Sequence, residues 1–397
     1  MTSIRLGIVG LGRGFMLTLP ALLSDPRICL AAAFDLRRES RERFALQFDA
    51  IAFESFEALL ASEQVDAVYI ATPHELHAEQ AIAALNSGKH VLVEKPMAAN
   101  VADCVRMEKA ARLSDRVLVV GPSHRFDAPV LTAADMVRSG EFGAVRMVTA
   151  LNFTDFMFRP RRPEELDTAR GGGVVYSQAT HQIDVVRQIV GRPVSTIRAI
   201  TGNWYVDRPS EGAYAALMNF EGGVSASLTY SGYAHYDSDE LVDWISELGH
   251  PKNPEAYGDA RRKLAGLSPA DEMAAKLSRA YGAGTNQDDP KPAPYHEHFG
   301  FILVSCERAD LKLSPKGIAV YGDVERRFLD IAPLQHPRAE VLTEFVDAIA
   351  QKCPSTFNAR WGVETMACCA ALLESSRTGR DVAPSSIIDR IEETFTP

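Results

Sequence analysis

From residue 4 onward, short apolar runs rich in β-branched residues alternate with segments of helical period. "IRLGIVG", "ICLAAAFD", "VDAVYIATP", "KHVLVEKP" and "VLVVGPSH" read as strands. "TLPALLSD", "ESRERFALQF", "AEQAIAALNSG", stopped by Gly88, and "VADCVRMEKAARLS" read as the helices between them. Regular strand–helix alternation predicts a doubly wound parallel sheet over residues 1–122, because parallel neighbours need crossover connections. After Gly121-Pro122 the pattern changes. One more helix is followed by longer strands of alternating polarity, and "GAYAALMNFEGGVSASLTYSG" reads as an antiparallel hairpin with Gly222 and Gly223 at its turn. Residues 123–397 are therefore expected to form a second α/β domain on a large, mostly antiparallel sheet. Within it, about 240–295 form a polar, partly helical insertion. "WGVETMACCAALLESSRTGR" reads as a buried last helix, which could pack back toward the first domain.

Composition narrows the function classes. The chain has 397 residues, 46% of them hydrophobic, enough for two cores. Its formal charge of -10 argues against nucleic-acid and anionic-membrane partners, which need a basic face to displace counterions. "MTSIRLGIVG" lacks the pattern of a secretory leader, and no apolar run is long enough to span a bilayer, so a cytoplasmic protein is expected. Cys29, Cys104, Cys306, Cys353, Cys368 and Cys369 show no metal-ligand spacing and read as buried thiols.

"GIVGLGRGF" places Gly10 and Gly12 between the first strand and a helix. There a pyrophosphate can meet free backbone N–H groups and the positive helix end, as in a Rossmann dinucleotide site. Arg13 and Gly14 lie in the same turn, and Phe15 occupies the third fingerprint position, which is normally Gly or Ala. Asp35 ends the second strand, where a carboxylate can accept both adenosine ribose hydroxyls. It favours NAD, although Arg37 and Arg38 lie close enough in sequence to bind a 2′-phosphate, so NADP stays open. "ATPHELH" brings Thr72, Pro73, His74 and His77 to the same end of the sheet, with His77 a cofactor-packing or helix-start residue rather than a catalyst.

"VLVEKP" sets Glu94, Lys95 and Pro96 at the carboxyl end of a buried strand, where ligands bind in open α/β sheets. A lysine there, partly desolvated and beside a cationic nicotinamide, is expected to lose its proton readily and so to take a hydroxyl proton. His124 and Arg125, after the last strand of the first domain, are candidates for substrate positioning. So are Arg159, Arg161, Arg162 and Arg170, whose guanidinium forks suit a carboxylate. The alternative for these arginines is pairing with Glu164, Glu165 and Asp167. Asn152, Asp155 and Tyr176 could read hydroxyls. His235, Asp237, Asp239, His296, Glu297 and His298 have ligand-type side chains without the spacing of a metal site, so no metal is expected.

The glycine turn, Asp35, "ATPHELHAEQA", the "EKP" of Glu94 to Pro96, and "GGG" followed by His181 and Asp184 together resemble the glucose/fructose oxidoreductase, inositol dehydrogenase and MocA superfamily. The resemblance runs over essentially the whole chain. It implies a Rossmann domain with tightly held NAD(P), a C-terminal open sheet used for homodimer or homotetramer contacts, and Lys95 beside the nicotinamide. It also implies His181 as the catalytic histidine, projecting toward Lys95, with Asp184 starting the helix behind it. Where many members carry an aspartate for a sugar hydroxyl this chain has Ser177, which turns the expectation from a neutral sugar to a small anionic substrate. Three segments, "NFTDFMFRPRRPEELDTARGGGVVYSQATHQID", "SGYAHYDSDE" and "HFGFILVSCERADL", are similar to the phthalate cis-4,5-dihydrodiol dehydrogenase group. That similarity implies oxidation of a carboxylated cis-dihydrodiol by hydride transfer in aromatic catabolism. The alternatives are another carboxylated, hemiacetal or polyol substrate, or a nucleotide-holding regulator without turnover.

Overall fold

The computed structural model describes residues 3–121, 123–283, 293–333, 336–351, 355 and 358–395. The chain divides into two compact units. The first comprises Met1–Pro122, Pro269–Lys291 and His336–Val363, and the second comprises Ser123–Ser268, Pro292–Gln335 and Glu364–Pro397.

The first unit carries six strands, β1 (Ile4–Val9), β2 (Ile28–Phe34), β3 (Ile51–Ala52), β4 (Ala67–Ile70), β5 (His90–Val93) and β6 (Leu118–Val120). They pair in parallel in the order β3-β2-β1-β4-β5-β6. β1 and β4 are neighbours although β2 and β3 lie between them in sequence, so the order reverses there and opens a crevice at the strands' carboxyl ends. Ile8, Val9, Val68, Tyr69, Ile70, Val91, Leu92 and Val93 are fully buried, as expected of strands covered on both faces. The crossover helices Arg13–Ser24, Arg38–Phe48, His77–Asn86 and Val101–Ser114 lie where the apolar period places them.

Two later segments also belong to this unit, which corrects the assignment of 123–397 to one domain. Tyr281, inside the expected insertion, donates its N–H to the Leu11 carbonyl at 3.0 Å and is 1% exposed. Its ring meets Phe15, Phe44 and Phe48 with centroids 5.7, 6.1 and 6.3 Å away. Residues 284–292 of the expected insertion, the boundary residue Pro122 and Cys353 lie outside the described residues.

The second unit holds β7 (Val145–Phe153), β8 (Val194–Gly202), β9 (Ala213–Phe220), β10 (Ser225–Ser231), β11 (Phe301–Cys306), β12 (Ala309–Ser314), β13 (Gly317–Gly322) and β14 (Arg326–Asp330). They form one sheet in the order β14-β13-β12-β11-β7-β10-β9-β8, antiparallel except for the β7–β10 pair. The β9–β10 hairpin turns at Gly222 and Gly223, both with positive φ (80° and 78°), within the three-residue connection left between Phe220 and Val224. The helix predicted as last spans Ala359–Thr378 and ends before Gly379, at φ 64°. A further helix, Pro384–Thr394, follows it. Cys104, Cys368 and Cys369 are buried as expected, but Cys306 is half-buried and Cys29 is exposed on its strand. No helix among the described residues is long and apolar enough to cross a membrane.

Candidate functional site

In the first unit the glycine turn follows β1. Gly10 sits at φ 90°, and a Cβ there would stand 2.9 Å from Thr72 Cγ2 and 3.0 Å from the Ala71 backbone. The helix Arg13–Ser24 begins after Gly12, which has no side chain to cap it, and has no acidic residue in its first turn. Its N-terminal N–H groups and positive end therefore fit a pyrophosphate. Arg13 is exposed in that first turn. Phe15 is corrected: it is fully buried against Phe44 and Tyr281 and serves the core rather than a cofactor. Asp35 accepts hydrogen bonds from Leu11 N–H (2.7 Å) and from the backbone and guanidinium of Arg37, while Arg38 pairs with Glu42.

At the next strand ends, Thr72 donates its hydroxyl to Gln80, Pro73 precedes a single turn over His74–Leu76, and His77 begins the following helix. His77 is fully buried, with ring nitrogens 3.0 Å from the Pro96 and Thr72 carbonyls, and burial lowers its pKa. It braces the two loops to each other, a structural role that leaves it no part in proton transfer.

Glu94, read from sequence as a companion of Lys95, is engaged beneath the glycine turn. Its carboxylate accepts the Tyr69 hydroxyl at 2.6 Å, and Tyr69 in turn meets Thr18 at 3.0 Å. Arg338 approaches Glu94 at 3.8 Å and donates to Thr18 at 3.3 Å. A Cβ on Gly14 would lie 2.9 Å from the carboxylate, so that glycine serves close approach. Burial raises the Glu94 pKa, opposed by Arg338 and by the Tyr69 hydrogen bond. Lys95, next in the chain, is half-buried, and Pro96 is buried behind it. No sequence motif pointed to Tyr69, Thr18 or Arg338.

In the second unit "GGG" leads into a helix rather than a simple turn. Residues Val175–Ala179 form a π-helical turn that continues into the helix Thr180–Val190. The Ser177 hydroxyl bonds back to the Gly173 carbonyl and that of Thr180 to the Tyr176 carbonyl, a competition with the backbone that loosens a helix locally. Ser177 and the half-buried Tyr176 thus help set the shape of this turn. Glu211, absent from the sequence reading, explains the glycines. It accepts the Val175 N–H (3.1 Å) and the Thr168 hydroxyl, and a Cβ on Gly173 would fall 2.1 Å from its carboxylate. A Cβ on Gly172 would lie 2.5 Å from the Glu164 carbonyl.

His181 stands in the first turn of the helix, 5% exposed. Its ring meets His124 edge-on at 4.7 Å and Phe299 at 5.0 Å, and Phe299 stacks on Tyr230 at 6.2 Å. Asp184 lies inside the helix and does not start it: it accepts from Ser123 (3.1 Å) and Thr365 (2.5 Å), with the buried Arg125 guanidinium at 3.8 Å. Arg125 also lies over the Phe126 ring at 4.6 Å. His124 Nδ1 contacts Asp127 at 2.8 Å and Nε2 contacts Glu247 at 3.5 Å. Burial alone would lower the imidazole pKa, but the charge and hydrogen bond of Asp127, joined by Glu247, push it up to about 10. The folded pKa exceeds the unfolded value, so His124 contributes stability fully below about pH 6.5 and loses it as pH rises through about 10. The melting-temperature gap between the native chain and His124→Gln is therefore expected to be widest near pH 6 and to narrow toward pH 10. A gap independent of pH across that window refutes the assignment. His124, Asp127 and Glu297 also bring ligand-type atoms within 4.8 Å of one another.

The arginine loop divides. Arg161 stacks over Phe156 at 3.4 Å and donates to its carbonyl, and Arg161 and Arg162 both approach Glu165, at 4.0 and 3.6 Å. Arg170 is exposed in the short turn Thr168–Arg170. Arg159 is the member that joins the histidine cluster: its guanidinium meets Asp155 at 2.9 Å and Glu247 at 3.7 Å. Asn152 is 3% exposed and accepts the Ser238 hydroxyl at 3.2 Å, so it supports the sheet rather than a ligand. Of the other ligand-type residues, Asp237 and Asp239 pair with Lys252, and His296 and His298 place Nε2 against the Ile331 and Ile245 carbonyls. His235 lines a separate cleft of about 490 Å³ with Trp204, Tyr205, Tyr233, Tyr236 and Arg261.

Comparison with known proteins adds the following. Residues 4–122 match the model of an oxidoreductase family with an NAD-binding Rossmann fold, and 130–246 match the GFO/IDH/MocA C-terminal domain. The chain is 43% identical over 376 residues to a 1-carboxy-3-chloro-3,4-dihydroxycyclohexa-1,5-diene dehydrogenase of Comamonas testosteroni, covering 94% of this chain and 95% of that one. A solved structure from Bordetella bronchiseptica RB50 superposes with a TM-score of 0.90 at 39% identity, over 96% of this chain and all of the other. An Agrobacterium radiobacter oxidoreductase solved with NAD+, L-tartaric acid and magnesium shares the fold, with a TM-score of 0.74 at 17% identity over 97% of this chain and 100% of that one.

Proposed function

Because the chain belongs to the GFO/IDH/MocA family of NAD-binding oxidoreductases, we propose that it oxidises a carboxylated cis-dihydrodiol of a cyclohexadiene to the corresponding catechol. The observation that carries this reading is the 43% identity, over 94% of the chain, to a dehydrogenase whose substrate is a ring dihydrodiol with one carboxylate. Gly10, Gly12 and the N–H groups opening the helix Arg13–Ser24 would hold the pyrophosphate, and Asp35 the adenosine ribose. When bound, NAD+ supplies the hydride acceptor. The chain's own residues supply the rest: Lys95 is assigned the hydroxyl proton of the carbinol being oxidised, His181 is the second catalytic candidate for that proton, and Arg159 pairs with the carboxylate. Transfer of the remaining ring proton to the new carbonyl oxygen then gives the aromatic catechol, which makes oxidation the favoured direction.

The arginine loop also bears on the finer substrate. Arg161 and Arg162 are engaged within their own loop and Arg170 is exposed, while Arg159 pairs with Glu247 of the histidine cluster. A single fork at Arg159 matches one carboxylate, the number on the substrate named for the Comamonas testosteroni dehydrogenase, and so favours a monocarboxylate over the dicarboxylate phthalate 4,5-dihydrodiol. The test follows reduced-nicotinamide absorbance with NAD+ and a panel of benzoate dihydrodiols, phthalate dihydrodiol, polyols and cyclic hemiacetals. Benzoate-type dihydrodiols are expected to give the highest kcat/KM. Preference for phthalate dihydrodiol would restore the dicarboxylate reading, and turnover of polyols alone would reject both.

A further inference from the structure

The segment Pro269–Gly282 reaches the first unit at the residues that read the adenosine half of a dinucleotide. Asp35 is saturated: Oδ1 accepts the Arg37 N–H (2.8 Å) and Nε–H (3.0 Å), and Oδ2 accepts the Leu11 N–H (2.7 Å) and an Arg37 Nη2 hydrogen (3.2 Å). A carboxylate offers about four lone-pair positions, so all are in use. Arg37 does not depend on Asp35 alone, because Nη2 also donates to the Leu11 carbonyl (2.9 Å) and Nη1 to the Tyr281 carbonyl (3.2 Å). Tyr281 is in turn fixed. Its carbonyl accepts the Ser40 hydroxyl (3.1 Å), its own hydroxyl donates to Gln47 (2.6 Å), and its ring fills the space between Phe15, Phe44 and Phe48. Gly282, at φ 75°, lets the chain turn away directly afterwards, and a Cβ there would lie 3.3 Å from Ser40 Oγ.

An arginine two residues beyond the β2 carboxylate is placed to bind the 2′-phosphate of NADP if its guanidinium can leave its internal acceptors. Here both of its terminal nitrogens are held by backbone carbonyls, one of them from a segment more than 240 positions away. The longest of the four bonds to Asp35 is the one a ribose hydroxyl can replace without releasing Arg37, because the same Nη2 keeps the Leu11 carbonyl. We infer that the Pro269–Gly282 strap is a cofactor-selectivity device: Tyr281 positions Arg37 so that Asp35 meets a 2′-hydroxyl and rejects a 2′-phosphate. The inference rests on NAD binding by the family and not on the identity of the oxidised substrate.

It is tested by binding, without turnover. Dissociation constants for NADH and NADPH are measured by nicotinamide fluorescence for the native chain, Tyr281→Ala, Arg37→Ala and the double variant. Tyr281→Ala is expected to shift the NADPH-to-NADH affinity ratio by about tenfold toward NADPH, and the shift is expected to vanish when Arg37 is also removed. Equal changes for both cofactors, or an NADPH gain that survives the loss of Arg37, would overturn the proposal. Tyr281→Leu, which keeps apolar bulk between the phenylalanines but loses the bond to Gln47, gives a second reading in the same direction should the alanine variant fail to fold.

Discussion

Replacing Lys95 with Met is expected to lower kcat by about 10²- to 10⁴-fold, the usual range for loss of a positioned general base or acid, while changing NADH affinity by less than about twofold. The two effects separate because the surroundings of Lys95 are held independently of it. Glu94 is fixed by Tyr69 and Arg338, and Pro96 by its carbonyl contact with His77. A methionine keeps most of the aliphatic length, so the strand end and the glycine turn above Glu94 should stay in place. His181→Gln is expected to lower kcat as well. If both residues serve the same proton, the double variant should fall little below the weaker single one, since groups acting as a unit give non-additive losses. Multiplicative losses would show that they act on separate steps, and unchanged turnover in Lys95→Met would remove that residue from the mechanism. Stopped-flow kinetics with a carboxylated dihydrodiol, beside NADH titrations, supply both numbers.

What the sequence made legible followed from periodicity and short-range chemistry. Five of the six strands of the first sheet and the four helices read between them are each specified by a short local pattern, whereas β3, only two residues long, carries no period to read, and Gly222-Gly223 marks a turn on its own. Features that depend on one residue contacted from far along the chain left no local signal. Tyr281 lies in a polar, turn-rich stretch, and only its packing on Phe15 and Phe44 shows that it belongs to the first unit. Arg338 and Glu211 are similar cases, an arginine and a carboxylate in no motif, each placed against residues distant in sequence. The π-helical turn ahead of His181 had a signal in hindsight: Ser177 and Thr180 are both able to bond back to a carbonyl four residues earlier. The arginine cluster was ambiguous for a physical reason. Four guanidiniums beside Glu164, Glu165 and Asp167 satisfy pairing rules in many ways, and it was the stacking of Arg161 on Phe156 that distributed them.

Arg159→Ala is expected to raise KM for a carboxylated dihydrodiol by about 10- to 100-fold with little change in kcat. A charge-assisted hydrogen bond contributes about 1.5–3 kcal/mol, and binding made equally in ground and transition states appears in KM. Arg159 is the arginine of the loop whose present partners include Glu247, at 3.7 Å, a distance long enough that a substrate carboxylate can compete for the guanidinium. Arg159→Lys should recover only part of the loss, because an ammonium cannot present the parallel fork that a carboxylate accepts. Two controls isolate the charge. The methyl ester of the same dihydrodiol should bind the native chain and Arg159→Ala about equally. Arg161→Ala should lower melting temperature, through loss of its stacking on Phe156, without the selective rise in KM. An Arg159→Ala variant with unaltered KM for the acid would assign carboxylate recognition elsewhere. The variant also frees Glu247 from a cationic neighbour, so its charge acts more fully on His124, whose pKa should rise further above about 10. That second effect is read by the imidazole nitrogen shifts of His124 in NMR, and it distinguishes removal of the guanidinium from collapse of the cluster, which would let the His124 pKa fall.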